Sequence, residues 1–141
     1  MSSDLQDFEQ FMKQRDEAAR AYVSGNAAPL SEIVTHNSPA TFFGPKGGYD
    51  QGADNVYAVY DRDAAYFTTG NSMFEILHMA ASDGIAYWVG FQRATAQMHG
   101  STDVVPFNLR ITEIFRREGN EWKMIHRHAD TLMPEPQESK E

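Results

Sequence analysis

Apolar side chains recur at helical spacing in three stretches of the first half of the chain. Residues 4–24 carry them every three or four positions, and Gly25 follows as a stop signal, which predicts a long amphipathic first helix. A shorter helix is predicted to begin near Pro29, a residue that suits a first helical turn, and to end near His36. Residues 53–67 carry a third apolar stripe and predict a third helix.

The link between the second and third predicted helices contains a short apolar run and a loop. Residues 39–43 predict a brief strand, and the glycines and proline of residues 44–48 break regular structure. The loop lacks the Gly-Lys-Ser/Thr ending of a phosphate-binding loop. We therefore interpret it as a plain turn.

The second half of the chain changes to runs of β-branched and aromatic residues separated by turn residues. These runs predict four long strands in an antiparallel meander, at residues 73–81, 85–98, 104–115 and 122–128. Helices followed by such a meander predict an α+β domain in which three helices cover one concave face of the sheet.

The Asp83-Gly84 pair is a strong signal for a two-residue hairpin turn between the first two strands. Such a turn pairs Ser82 with Ile85. Continued without interruption, the same register pairs His78 with Val89, Ile76 with Phe91 and Phe74 with Arg93.

The last predicted hairpin gathers two histidines and an arginine. If residues 118–120 form a three-residue loop, Arg110 lies opposite His128. A two-residue turn is the alternative, and it shifts the register by one so that Glu113 faces His126. We favour the three-residue loop.

Because side chains alternate across a strand, the favoured register divides this hairpin into two faces. The face expected to line a pocket carries Arg110, Thr112, Ile114, Trp122, Met124, His126 and His128. The face expected to point outward carries Leu109, Ile111, Glu113, Phe115, Ile125 and Arg127. Together with Leu77, Met79 and Trp88, the outward face would form an apolar surface too large to remain exposed to water. It therefore predicts a homodimer, in which Glu113 and Arg127 form polar pairs.

Composition narrows the class of protein. The 141 residues are 41% hydrophobic, which fits one domain at residues 1–133, followed by a polar tail at 134–141 that is expected to be disordered. The chain has no cysteine, so thiol catalysis and disulfides are excluded. A net charge of −8 argues against nucleic acid and anionic membranes as partners. With no leader-like start and no long apolar stretch, a cytoplasmic location is expected.

A family resemblance rests mainly on the last hairpin. The Arg110-x-Thr112 pair, the turn region at residues 116–119 and the ending Trp-Lys-Met-Ile-His-Arg-His at residues 122–128 carry it, with weaker support from residues 61–67. With the order of elements, over about residues 4–130, they resemble the nuclear transport factor 2-like superfamily. Within it the chain is similar to SnoaL-like and ketosteroid-isomerase-like proteins and to the association domain of calcium/calmodulin-dependent kinase II.

The resemblance implies a cone-shaped, strongly curved antiparallel sheet with three N-terminal helices that enclose a pocket, and commonly a dimer through the outer face of the sheet. Members of the superfamily include isomerases, cyclases, dehydratases and non-enzymatic association modules. The association domain's arginine and histidine pocket positions correspond to Thr112 and His126. Arg110 is one pleat away and can take the place of the missing arginine.

The histidines share a face because they are two positions apart on a strand. They can act as an acid/base pair, as metal ligands if a third ligand converges, or simply as hydrogen-bonded structural histidines. We expect no metal and no cofactor. In the catalytic reading, His126 shuttles a proton, Arg110 and His128 stabilise negative charge, and Thr112 orients the ligand. Further candidate ligand-binding residues are Tyr57, Asp63, His78, Arg93 and Trp122.

Two hypotheses of different classes follow from this sequence. The first is a small-molecule-binding protein that works as an acid/base enzyme, of isomerase, cyclase or dehydratase type, on a polar or carbonyl-bearing organic compound. Arg110 in an apolar cavity needs a negative partner, which is either Asp63 or an anionic ligand, so the small organic molecule can be anionic. The second is a non-catalytic association module with a vestigial pocket.

Overall fold

The computed structural model describes residues 3–134 of the chain. Within them, helices precede the long strands, as predicted. In chain order the elements are α1 (Asp4–Tyr22), α2 (Ala28–Ile33), β1 (Thr41–Phe43), β2 (Tyr49–Gln51), α3 (Ala53–Ala64), β3 (Phe67–Ser82), β4 (Ile85–Met98), β5 (Val104–Glu118) and β6 (Glu121–Thr131).

The three predicted helices are confirmed, with shorter C-terminal ends. A capping box between Ser3 and Gln6 starts α1, because each residue's side chain accepts the other's backbone N–H. Helix α2 stops before His36 because Val34 turns to extended backbone and bridges to β6. Helix α3 stops before Phe67, which already pairs with β4 as the first residue of β3.

The strands form one curved, open sheet in the order β2-β1-β6-β5-β4-β3. The predicted antiparallel meander is confirmed for β3 to β6. The sheet as a whole is mixed, however, because β1 pairs with β6 in parallel. Strand β2, which follows the loop at 44–48, was not predicted; it extends the sheet by pairing with β1.

The helices cover one side of this sheet, which we call the inner face. Phe8 of α1 packs its ring against Phe115 and Trp122, and all three side chains are buried. We call the opposite side the outer face. The hydrophobic core therefore lies between α1 and the inner face.

The register of β3 and β4 agrees with the prediction near the turn and departs from it beyond a bulge. Ser82 pairs with Ile85, and His78 with Val89, as expected. Leu77 is then an extra, unpaired residue, so Phe74 lies opposite Gln92 and not opposite Arg93. Arg93 consequently lies on the outer face, in an ion pair with Glu75.

The predicted register of the last hairpin was wrong, and the alternative was right only near the turn. Glu118 pairs with Glu121 around a two-residue turn, and Ile125 is a bulge residue that shifts the pairing once more. As a result Arg110 lies opposite Asp130, and Glu113 lies opposite Arg127.

The two faces of β5 are the reverse of the prediction, and the bulge in β6 places the histidines on the face opposite Trp122 and Met124. The side chains expected to point outward are mostly core residues, namely Leu109, Ile111, Glu113, Phe115, Arg127 and Trp88. Trp122 and Met124, expected beside the histidines, are buried on the inner face instead. An outward apolar surface built from the predicted residues therefore does not exist, although Leu77 is exposed.

The structure bears on two further expectations, which concern membrane segments and the polar tail. No helix within residues 3–134 is long and apolar enough to cross a membrane. The tail predicted at 134–141 lies, except for its first residue, outside the described residues.

Candidate functional site

A carboxylate held by two arginines lies in the middle of the core. Arg15 of α1 binds both oxygens of Glu113, with Nε at 2.9 Å from Oε1 and Nη2 at 2.6 Å from Oε2. Arg127 of β6 donates from Nη1 to Oε2 of the same carboxylate. Glu113 is fully buried, and 2% of Arg15 is exposed. Three charged side chains thus meet away from water.

Neutral polar groups complete this arrangement. Trp88 donates its indole N–H to Glu113 at 2.9 Å. Gln92 accepts from Nη2 of Arg127 at 2.7 Å and donates to Ser72 at 3.0 Å. The polar groups of Trp88, Gln92 and Glu113 are therefore hydrogen-bonded, as buried polar groups in stable proteins are.

The charges stabilise one another in their ionised forms. Burial alone would raise the pKa of Glu113, but the charges and hydrogen bonds of Arg15 and Arg127 outweigh it and lower this pKa to about 2. Burial likewise works against a charged Arg15, yet Glu113 raises the pKa of that guanidinium. Two cations against one carboxylate leave this trio with a net charge of +1.

Two buried donors of the same region lack a protein partner. Among the described residues, none makes a hydrogen bond to Nη1 of Arg15 or to the hydroxyl of Tyr60. Tyr60 of α3 is 5% exposed, and it interacts electrostatically with Arg127, Glu113 and Arg15. Burial raises the pKa of Tyr60, so its hydroxyl keeps its proton. We call Arg15, Tyr60, Gln92, Glu113 and Arg127 the buried cluster.

A series of half-buried aromatic rings leads outward from Tyr60. The ring of Phe42 lies 4.9 Å from that of Tyr60, measured between centroids, and the ring of Tyr22 lies 6.3 Å away. Phe67 lies 5.9 Å from Tyr22 and stacks on Phe107 at 5.7 Å. We call Tyr22, Phe42, Phe67 and Phe107 the aromatic collar. It joins the buried cluster to the surface.

The predicted catalytic residues lie on the outer face of the sheet. Arg110 and His126 do share a face, as predicted, but the helices do not cover it. Arg110 is well exposed and makes a two-point ion pair with Asp130, at 2.7 and 2.9 Å. His128 lies 3.5 Å from the same aspartate. Thr112 lies opposite His128.

His126 is the more buried of the two histidines. Its Nδ1 lies 2.7 Å from the hydroxyl of Thr41, and the ring of Phe43 packs edge-on against it. Burial and the charge of His128 lower the pKa of His126. Beside these residues, β1 and the following loop border an open cleft of ≈ 560 Å³ that His128 and Phe43 help to line.

The remaining predicted ligand-binding residues are dispersed. Tyr57 is partly exposed and contacts the ring of His36. His78 is exposed and lies 3.0 Å from the hydroxyl of Tyr87 on the outer face. Asp63 pairs with Arg62 near the end of α3. Its charge, after burial, contributes to raising the pKa of Tyr22 in the collar.

Trp122 borders a second cleft, of ≈ 460 Å³, between the first two helices and the turn of the last hairpin. The guanidinium of Arg117 lies over the ring of Trp122, 4.2 Å from its centroid. Arg117 is paired with Asp4 and Asp7, and Lys123 is paired with Glu121. The two cations of this cleft are therefore already paired with carboxylates.

The sequence did not predict that the five residues of the buried cluster meet in the core. One signal was present: Glu113 interrupts the apolar alternation of Leu109, Ile111 and Phe115, so it marks a charge on a core-facing strand. Nothing local marks Arg15, which falls within an amphipathic helix. Among residues 3–134 no group of three or more histidines and carboxylates is arranged to hold a metal.

This geometry defines a class: an α+β domain whose helices and curved sheet surround a polar interior site. The sequence model of the SnoaL-like domain matches residues 12–134, so the chain belongs to the SnoaL-like domain family. No curated protein matches the chain in sequence.

Solved structures of nuclear transport factor 2-like proteins share the fold. One from Streptomyces avermitilis, provisionally named a dehydratase, has a TM-score of 0.78 at 16% identity, over 94% of this chain and 100% of that one. A provisionally named scytalone dehydratase from Novosphingobium aromaticivorans has a TM-score of 0.76 at 11% identity, over 92% and 86%. A provisionally named calcium/calmodulin-dependent kinase II association domain from Thiobacillus denitrificans has a TM-score of 0.67 at 14% identity, over 85% and 93%.

Proposed function

We propose that this SnoaL-like protein binds a small organic molecule in its interior, with a carbonyl or similar oxygen at the buried cluster. The observation that carries the proposal is the pair of unpartnered donors, Nη1 of Arg15 and the hydroxyl of Tyr60. A buried donor without an acceptor costs free energy, which a ligand oxygen would recover. Sites with such donors in native proteins call for a ligand, an ion or a bound water.

The same donors suit chemistry in which negative charge develops on the ligand oxygen. A charged guanidinium and a neutral hydroxyl, already held in place away from water, stabilise an oxyanion without reorganising. That fits reactions of the isomerase, cyclase or dehydratase type. The names of two structural neighbours as dehydratases support this direction.

The acid/base step needs a group other than Glu113. Its pKa of about 2 makes its carboxylate a weak base, and both its oxygens already accept hydrogen bonds. Proton transfer by His126, with Arg110 and His128 stabilising charge, stays a prediction, and it concerns the outer face. Binding and polarisation are what the interior groups support best.

The chain offers an internal control for testing this proposal, because it has two tryptophans. The indole N–H of Trp88 donates to Glu113, whereas Trp122 lies beside Arg117 at the hairpin end. We expect a set of small carbonyl compounds to include binders that shift the Trp88 indole signal in a ¹⁵N–¹H spectrum and leave the Trp122 signal in place.

Two results of that experiment would contradict the proposal. One is that no compound binds, with freshly purified protein also free of retained small molecules by native mass spectrometry. The other is that every binder moves only Trp122 or residues of the outer face.

A second candidate function is the association module. Exposed apolar side chains on β3 and β4, at the edge of the sheet that β3 forms, favour it. Met73, Leu77 and Ile85 are each about half exposed. We propose that the outer face forms a homodimer through them. Light scattering should then give a dimer for the native chain and a monomer for Met73→Lys/Ile85→Lys, while a native monomer would contradict the idea.

A further inference from the structure

We infer that the ligand of the interior site is a monocarboxylate with an aromatic or other flat apolar body, its carboxylate at Arg15 and Tyr60 and its body among the rings of the aromatic collar. This inference rests on the proposed function and narrows it to a chemical class. It is carried by the charge of the buried cluster, by its unpartnered donors and by the collar.

The charge of the cluster selects an anion. Arg15 and Arg127 bring two positive charges, and Glu113 supplies one negative charge. All three side chains are at least nine-tenths buried. An unmatched charge in such surroundings is costly, and a ligand of charge −1 would neutralise it. A neutral ligand would leave the excess charge, and a dianion would replace it with a negative one.

The unpartnered donors select the kind of anion. Glu113 occupies Nε and Nη2 of Arg15, which leaves Nη1 as the free donor of that guanidinium. The hydroxyl of Tyr60 is the second donor. A carboxylate is a pure acceptor with two oxygens, which suits donors without partners, and hydrogen bonds between a charged acceptor and such donors are the strong ones.

The surroundings of Tyr60 select the body of the molecule. Phe42 and Tyr22 contact its ring directly, and Phe67 and Phe107 continue the aromatic surface outward. Aromatic rings prefer offset or edge-to-face contacts of this spacing, which a ligand ring can join. Because 5% of Tyr60 is exposed, a ligand reaches it only when collar rings move apart.

The test compares molecules of one shape and different charge. We would measure binding of 3-phenylpropionate, of its amide, of phenyl phosphate and of acetate, using the Trp88 indole signal and calorimetry. We expect 3-phenylpropionate to bind at least tenfold more tightly than the amide and phenyl phosphate. Acetate should bind weakly, because it lacks the apolar body.

Tyr60→Phe provides a variant that is expected to fold. It removes a hydroxyl that has no protein partner, so the thermal midpoint should stay the same or rise. Binding of 3-phenylpropionate should nevertheless weaken roughly tenfold or more, since a hydrogen bond to a charged acceptor is lost. Tyr66→Phe is the matched control, because Tyr66 is well exposed and removed from the cluster; its affinity should equal that of the native chain.

The outcomes separate this inference from the proposed function. If neutral carbonyl compounds shift Trp88 and carboxylates bind no better, the interior site stands and the charge class is wrong. Equal affinity of Tyr60→Phe and the native chain for 3-phenylpropionate would also overturn the inference. If no compound of either kind shifts Trp88, both the inference and the proposed function fail.

Discussion

Each face of the last hairpin has a carboxylate that binds an arginine, and the geometry of the two ion pairs is nearly the same. On the inner face Arg15 binds both oxygens of Glu113, at 2.9 and 2.6 Å. On the outer face Arg110 binds both oxygens of Asp130, at 2.7 and 2.9 Å. Only the surroundings differ, since the first pair is buried and the second is exposed.

This difference teaches that contact geometry alone does not identify a site. Water screens the outer pair and can replace either partner, so the pair contributes little to stability or to binding. In the core the same contact removes charges from water, and each charge must then be matched. Removing single partners on each face should therefore give very different results.

The largest effect is expected for Glu113→Ala. The change leaves Arg15 and Arg127 buried without a counter-charge, and breaking a buried charge arrangement in this way costs about 3–5 kcal/mol. We would measure the free energy of unfolding in urea. Arg110→Ala is the matched control on the same strand and should leave the urea midpoint unchanged. Similar losses for both variants would show that burial does not separate the faces.

The next largest effect concerns the stability of the fold at low pH. Glu113 has a pKa of about 2 in the folded protein, below the value near 4.3 that is usual for an unfolded chain. A lowered carboxyl pKa stabilises the fold above the unfolded value, and this stabilisation is lost as the pH falls through the folded value.

Urea unfolding of the native chain and of Glu113→Gln would check this. The native chain should be the more stable above pH ~4.5, and the gap should narrow between that pH and ~2. The acidic surface affects both proteins alike, so the difference isolates Glu113. A gap that stays constant over this range would contradict the assigned pKa.

These faces also show how much the sequence could predict. The helices, the long strands and the turn at Asp83-Gly84 followed from spacing and turn chemistry, and the structure confirms them. The facing of the last hairpin did not follow, because the helices cover the face that carries Glu113. In addition, one extra residue, Ile125, places the histidines on the face opposite Trp122 and Met124. A bulge has no local sequence signature comparable to a turn. The apolar alternation around Glu113 marks the inner face of β5, whereas Arg110 and the two histidines lie on the outer face.

A smaller effect is expected where β1 meets the outer face. Thr41 shares a hydrogen bond with Nδ1 of His126, and both side chains are half-buried. Thr41→Val keeps the shape and removes this bond, which should cost about 1 kcal/mol in the free energy of unfolding. Thr112→Val on the same face is a suitable control, because Thr112 lies opposite His128 and not at His126. Equal losses would mean that the bond to His126 contributes nothing specific.

The smallest effect is a change in one pKa. Burial and then the positive charge of His128 lower the pKa of His126. Removing that neighbouring charge with His128→Gln should therefore raise the pKa of His126 part of the way back, while burial still holds it below its usual value of about 6.5. NMR titration of the ring protons measures this directly. An unchanged pKa of His126 would contradict the contribution assigned to His128 and would mean that burial alone lowers it.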